Sequence, residues 1–361
     1  GNGLRLTRNY LNGDGAPLNL ANHQLGDMVY AEIIVSNSSG ERIQNIALVD
    51  LEEGGLVIDI GSNDGTLLSQ FRGMGQRVLG VDPARDIAAV ATASGIETLN
   101  SFFDTAIAAN ILQSHGPARC VTANNVFAHI DDLGEIVDGI RTLLAPDGIF
   151  AFEVSYRLDV LQDTLFDTIY HEHLAYHSVK PLETFFAAQG MRLFAVERVP
   201  SHGGSIRGMA GLIDGPHSTD GTVAALIAAE QGAGLDRAET FQTFAADIDA
   251  LGQQLKTLID DIKTEGKTIA GFGAPAKATT LMYQFGIDAD TIDFIVDDSP
   301  LKQGLYSPGA HIPVVASDVL YERRPDYVLL LAWNFSSAIM DKHSAFLDSG
   351  GRFIVPLPEL T

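Results

Sequence analysis

The sequence predicts an α/β chain of two nucleotide-fold-like lobes, and three observations predict it. Short apolar runs alternate with helical stretches in two separate series, each series has a glycine turn after its first strand, and a helical segment with one apolar seam lies between the series. Strands alternating with helices imply parallel sheets whose crossovers cover both faces.

The elements follow in order. Residues 1–53 mix short apolar stretches with Asn, Gly and Ser, and read as an irregular N-terminal arm with a helix near its end. From Leu56 the first series supplies LVIDI, RVLGVD, CVTANNV and GIFAFEV as strands, with RDIAAVATASG and LGEIVDGIRTLL as helices, and residues 54–215 are assigned to this lobe. Over 220–264, Phe241, Phe244, Ile248, Leu251, Leu255, Leu258 and Ile262 recur at spacings of three and four, the mark of a helix with one buried face. A helix packed between two lobes is favoured over a dimeric coiled coil. KTIAGFGA, IDFIVDD, DYVLLLAW and RFIVPLP then form the second series, so that connector and second lobe span 216–361.

Composition narrows the function. A chain of 361 residues, 46% hydrophobic, suffices for two cores, and a formal charge of −23 argues against nucleic acid or anionic membrane as the main partner. A small-molecule substrate is expected, with the protein a monomer or homodimer. No apolar run reaches the roughly 20 residues of a membrane span, and the N-terminal stretch lacks a signal-peptide core, so a cytoplasmic location is expected. Cys120, the sole cysteine, reads as a buried packing thiol, and no cysteine-based zinc site can form within one chain.

The first glycine turn, LVIDIGSNDGTLLSQF, is a strand, then Gly61, Asn63, Asp64 and Gly65, then a helix. Such a turn lets the backbone approach a ligand and presents helix N-terminal amides. Its G-x-x-x-G spacing departs from the dinucleotide fingerprint G-x-G-x-x-G. A turn that merely joins strand to helix is the competing reading; Asp59 before it, and Asp82 at the end of the next strand where a carboxylate can accept ribose hydroxyls, favour a cofactor site. TANNVFAHI places Asn124, Asn125 and His129 at the C-terminal edge of the sheet, where open α/β sheets bind ligands.

Over about residues 55–155 these features resemble the class I S-adenosylmethionine-dependent methyltransferases. The resemblance implies a Rossmann-like class I methyltransferase lobe followed by a second Rossmann-like α/β lobe, with S-adenosyl-L-methionine as cofactor. It implies that Gly61, Asn63 and Gly65 cradle the amino-acid part, that Asp82 holds the ribose and that Phe103 or Asp104 meets adenine. Asp59, Asn124 and Asn125 complete the expected cofactor set.

The stretch IYHEHLAYHS, residues 169–178, packs His171, His173, His177, Tyr170, Tyr176 and Glu172 together. The helical zinc motif needs His-Glu-x-x-His; here only one residue separates His171 from His173 and a third ligand is missing, so no metal is expected. One reading makes Tyr170, His173 and Tyr176 half-buried residues satisfied by the backbone. The other makes a base: imidazole titrates near neutrality, and methyl transfer to carbon requires a carbanion or enolate first.

IYHEHLAYHS, SHGGSIRG (201–208) and GFGAPAKATTLMYQFG (271–286) together resemble the nucleotide-sugar C-methyltransferases of deoxysugar biosynthesis. The resemblance implies that Glu172 and His173 remove the proton beside a 4-keto group, that Tyr170 and His129 line the sugar, and that the second lobe helps hold the sugar nucleotide. Candidate substrate contacts are Tyr30 (or Ser38), His171, His202, Gly203, Gly204, Ser205, Arg207 and Lys277. Taken alone, 202–207 reads equally as an anion-binding loop or a plain turn, and Lys277 as a phosphate contact or part of an inherited glycine turn. Asp297 and Asp298 end a strand where a second ribose would sit, with Lys302 on the surface. That family usually begins with a four-cysteine zinc module; residues 1–53 carry no cysteine. The leading expectation is C-methylation of a keto-deoxysugar nucleotide or related small molecule. The alternatives are an NAD(P)-dependent oxidoreductase, a methyltransferase acting on oxygen or nitrogen, and a non-catalytic nucleotide-binding protein.

Overall fold

The structure is a computed structural model that describes residues 54–361 in full and, before them, the backbone of β1 (Leu4–Leu11) and β2 (Tyr30–Asn37). β1 and β2 pair antiparallel, Leu4 opposite Asn37 and Leu11 opposite Tyr30. Part of the arm expected to be irregular is therefore a two-stranded sheet: the β-branched run Ile33, Ile34 and Val35 outweighs the surrounding polar composition. The helix expected near the end of the arm, and Ser38, lie outside the described residues. Residues 50–361 form one compact unit.

The first sheet is built from β3 (Leu56–Ile60), β4 (Arg77–Val81), β5 (Thr98–Leu99), β6 (Ala118–Asn124), β7 (Leu144–Ser155), β8 (Met191–Val199) and β9 (Ser205–Leu212). Its order is β5-β4-β3-β6-β7-β9-β8. β3 is buried at every position, as a central parallel strand covered on both faces must be. β9 runs antiparallel to both β7 and β8, so the chain turns back once inside the sheet. A dinucleotide-binding sheet, six strands in the order 3-2-1-4-5-6, has no such inserted strand.

A cluster of rings fixes the middle of this lobe. Phe127 lies 5.3 Å from Phe150, 5.4 Å from Phe152 and 6.3 Å from Phe186, centroid to centroid. Phe127 opens the 3-10 turn Phe127–His129, so the same packing holds His129 at the end of β6. Gly208 on β9 makes room for it: a Cβ there would lie 2.2 Å from Cζ of Phe152.

The connector, expected as one helical stretch, is two helices, Thr222–Gly232 and Ala238–Thr264, broken near Gly234, whose φ is +71°. Ile248, Leu251, Leu255, Ile259 and Ile262 are buried in a cluster that also holds Val160 and Phe166 of the first lobe and Ile269 and Leu329 of the second. The seam thus packs between lobes, as expected. Phe241, early in that helix, is exposed instead, with the Arg157 guanidinium 5.0 Å over its ring. The second sheet holds β10 (Ile269–Phe272), β11 (Ile295–Val296), β12 (Val314–Val315), β13 (Tyr327–Leu330) and β14 (Arg352–Ile354), all parallel in the order β12-β11-β10-β13-β14. Among the described residues no helix is long and apolar enough to cross a membrane.

Gly208→Ala should lower stability by about 1–3 kcal/mol through overpacking against Phe152. Urea denaturation reads it; an unchanged midpoint would show that the Phe152 ring moves aside freely.

Candidate active site

The glycine turn after β3 is hooked to β4 through its backbone. Gly61 N and Ser62 N donate to the Val81 carbonyl at 2.8 and 3.3 Å, and Asn63 N donates to Asp82 Oδ2 at 2.8 Å. Ala84 N donates to Asp82 Oδ1 at 2.8 Å, which leaves each oxygen of this buried carboxylate further acceptor capacity. Gly61 has φ +71°, and a Cβ on it would lie 2.6 Å from Cγ2 of Val126. Asp59, just before the turn, is buried and accepts a hydrogen bond from Thr122 Oγ1 at 2.6 Å. Burial pushes its carboxyl up to about 7 against the lowering effect of the Thr122 hydroxyl, and the Asp82 charge adds to the rise.

This cradle suits S-adenosylmethionine. Glycines at both ends of the turn, Gly61 and Gly65, let its backbone approach the amino-acid end of the cofactor, and Asp82 offers acceptors to a ribose diol. The two residues expected beside adenine both have roles within the fold. Phe103 is buried in the core, where a Cβ on Gly139 would lie 3.0 Å from its ring, and Asp104 caps the helix Thr105–His115 by accepting from Ile107 N at 2.7 Å. Phe102 points outward instead, 77% exposed, beyond β5. One of two adjacent aromatic residues had to enter the core, and packing, which sequence alone does not show, chose Phe103.

At the end of β6, Asn124 is exposed and Asn125 is half-buried in a left-handed conformation, φ +55°, its N–H donating to the Glu153 carbonyl at 2.7 Å. The segment 169–178 is neither helix nor strand but a turn followed by extended chain. Leu174 N and Ala175 N donate to the Ala128 carbonyl at 2.7 and 3.3 Å, which brings His173 to His129, their rings 5.1 Å apart. Tyr170 lies 4.5 Å and Tyr176 6.0 Å from the His173 ring. Burial pushes the His173 imidazole down, and the neighbouring His129 adds to this; the Thr168 carbonyl and Glu172 pull the other way, and His202 adds a smaller lowering effect. His173 Nδ1 is buried without a hydrogen-bond partner among the described residues.

Glu172 departs from the expected Glu172–His173 pair. It is exposed, 3.7 Å from Nε2 of the exposed His171, and, with burial the larger cause, its charge helps push the Tyr170 hydroxyl up. The turn sends alternate side chains apart, so Glu172 reaches His173 only as a nearby charge. Among the described residues, no group of three or more His, Cys, Asp or Glu side chains is arranged to hold a metal ion.

The second motif supplies fewer contacts than expected. His202 is exposed and left-handed, with φ +54°, and lies near enough to His173 to lower its imidazole slightly. Gly203 and Gly204 serve close packing: Cβ atoms there would lie 3.0 Å from Leu165 and 2.4 Å from Asp159. Ser205 and Arg207 lie in β9, not in a loop. Ser205 is buried and donates to the Ser201 carbonyl, and Arg207 Nη2 pairs at 2.7 Å with Oε2 of the buried Glu153, its cross-strand neighbour. Lys277 likewise faces a buried carboxylate, its Nζ 3.5 Å from Asp167 Oδ2. Neither cation is therefore placed as the expected phosphate anchor, because each answers a carboxylate distant in sequence. Tyr30 lies in β2, and its side chain is outside the described structure. Asp297, at the end of β11, accepts from Ala274 N at 2.7 Å and Ser299 N at 2.8 Å, with Lys302 Nζ at 3.3 Å; Asp298 pairs with Lys342 Nζ at 2.7 Å.

A seven-stranded sheet with one reversed strand, a glycine-flanked turn beside two buried carboxylates, and a half-buried histidine at the same edge define an S-adenosylmethionine-dependent methyltransferase. Residues 36–196 match the family model described as a methyltransferase domain, and residues 200–358 that of the C-methyltransferase C-terminal domain. The C-methyltransferase NovU of Streptomyces niveus is 40% identical over 333 residues, which cover 90% of this chain and 79% of that one. The chain belongs to this family of C-methyltransferases. A ubiquinone biosynthesis O-methyltransferase of Burkholderia orbicola (strain MC0-3) is 31% identical over 124 residues, 34% of this chain and 53% of that one. A solved S-adenosylmethionine-dependent methyltransferase from Mesorhizobium loti overlaps 44% of this chain and 91% of its own, with a TM-score of 0.36 and 12% identity. The oxidoreductase reading finds no counterpart in the sheet order or in these relatives.

Asp59 yields a pH-dependent expectation. Its folded value of about 7 exceeds the roughly 3.9 of an unfolded Asp, so the folded state holds the extra proton in between and loses stability as pH rises through that window. Asp59→Asn should therefore stabilise the cofactor-free protein by about 1–3 kcal/mol at pH 8, with the gain fading toward pH 4. Thermal unfolding at both pH values checks it; a variant less stable at pH 8 would refute it.

Proposed function

We propose that the protein methylates a carbon next to the keto group of a keto-deoxysugar nucleotide, or of a closely related small molecule, with His173 as the base. The observation that carries this reading is the meeting of His173, His129 and Tyr170 at the sheet edge that also bears the glycine turn. The C-methyltransferase family supplies the reaction class.

The cofactor supplies a methyl group on a positively charged sulfur, an electrophile carrying its own leaving group. His173, kept neutral by burial, accepts the proton from the acceptor carbon, and the electron pair passes into the enolate. With the cofactor in place the enolate carbon would be the nucleophile for its methyl group, the neutral thioether being the leaving group, and protonated His173 would return its proton to solvent. His129 and Tyr170 border the sugar, where an imidazole or phenol can donate a hydrogen bond to the enolate oxygen. Glu172 contributes a nearby negative charge to both Tyr170 and His173. Asp82, with acceptor capacity left on each oxygen, and the exposed Asn63 side chain would hold the cofactor, and the exposed Phe102 would offer a face to adenine.

Incubation with labelled S-adenosylmethionine and a panel of nucleoside-diphosphate 4-keto-6-deoxysugars, followed by mass spectrometry, tests the acceptor class. A product with label on oxygen, or none at all, counts against it. His173→Ala should bind S-adenosylhomocysteine as the wild type does but lose about 10²–10⁴ in turnover; full turnover would remove His173 as the base. Because burial lowers the His173 value, the acid limb of kcat/KM should fall below about pH 6.5. His129→Ala removes a neighbour that lowers it, so the limb should move to higher pH; a shift the other way contradicts the assignment.

A further inference from the structure

A buried polar knot joins the second lobe to the segment that carries His173. Asp167, fully buried in the 3-10 turn Phe166–Thr168, accepts a hydrogen bond from Trp333 Nε1 at 2.6 Å. Lys277 Nζ stands 3.5 Å from the same carboxylate oxygen and 4.0 Å from the centre of the Trp333 ring. Both partners come from the second lobe: Lys277 caps the helix Ala278–Phe285, and Trp333 opens the 3-10 turn after β13. Two more contacts run alongside. Thr280 Oγ1 donates to the Ile169 carbonyl at 2.9 Å, and the Phe166 and Phe285 rings lie 5.0 Å apart.

What hangs from this knot is the site. Tyr170 begins three residues after Asp167, the Thr168 carbonyl accepts the Tyr176 hydroxyl at 3.0 Å, and His173 N bonds back to the Tyr170 carbonyl at 3.0 Å. A loop without regular structure takes its position from its anchors. Residues 166–169 are anchored to the second lobe, while 174 and 175 are anchored to Ala128 of the first. A buried ion pair is a weak source of net stability, because desolvation offsets attraction; directed and charge-assisted contacts to one carboxylate instead specify one geometry.

We propose that Lys277 and Trp333, acting through Asp167, are positioning residues that set the Tyr170–His173 loop against His129, so that the second lobe takes part in proton removal. The catalytic half of this inference rests on the reading of His173 as base. The positional half does not.

Two measurements on the full chain decide it. In the double variant Asp167→Asn/Lys277→Met, which leaves no buried charge unpaired, amides of 169–177 should exchange with deuterium at least about tenfold faster than in wild type. Peptides from β3, β6 and β7 should be unchanged, and equal exchange of 169–177 in variant and wild type overturns the proposal. With an acceptor that the wild type turns over, kcat should fall by about 10- to 100-fold and solvent exchange of the acidic acceptor proton should fall with it. Acceptor KM and S-adenosylhomocysteine affinity should stay within about twofold, and Lys277→Arg should recover most of the rate. A kcat within about twofold of wild type in the double variant also overturns the proposal. Wild type that methylates nothing in the panel would instead sink the acceptor reading, while the exchange experiment still decides the positioning.

Discussion

The rest of the site depends on the missing side chain at Gly61. Because there is no Cβ there, Val126 can lie against the turn, and Val126 accepts the backbone bond, 2.9 Å from His129 N, that closes the 3-10 turn Phe127–His129. Ala128 in that turn then receives the amides of Leu174 and Ala175. One side-chain contact and a short run of backbone bonds thus link the glycine turn to the segment that carries His173. A side chain at Gly61 would disturb both ends together, and the position of the methyl donor relative to the proton acceptor is what carbon methylation demands.

Burial does different work on the ionisable groups around this edge. Asp59 is raised and His173 lowered, each toward its neutral form. A neutral imidazole is ready to accept a proton, while Asp59 gains from any cationic ligand that restores its charge. Arg207 and Lys277 show the opposite solution, in which a buried cation is kept beside a buried carboxylate. Their charges are therefore spent inside the protein, on the geometry of β9 and of the turn that holds Asp167.

Much of this was legible in the sequence. The runs that became β3, β6, β7, β10 and β13 stand out because strands buried on both faces need continuous apolar residues. β8 and β9 were not recognised as a pair, since an inserted antiparallel strand rich in glycine carries little periodic signal, and β5 and β12 are only two residues long. The glycine turn and the histidine cluster were visible from residue type and spacing. What sequence could not decide was partnership: Phe102 against Phe103, Glu172 toward Tyr170 and His171, Arg207 with Glu153, and Lys277 with Asp167 and Trp333. Each is settled by neighbours brought in by the fold, and the lone tryptophan ending DYVLLLAW was the one unused hint to the last of them.

The two lobes share a backbone device that neither sequence advertises. Asp82 holds the amide of Asn63 and that of Ala84; Asp297 holds the amide of Ala274 and that of Ser299. In both, an acid ending the second strand ties down the turn that follows the first, and then its own chain two residues on. The device belongs to the strand–turn–helix unit itself. An aspartate at this place keeps the entrance of the sheet in shape before any ligand arrives, so a lobe can retain it as scaffolding after its pocket has been put to another use, or to none.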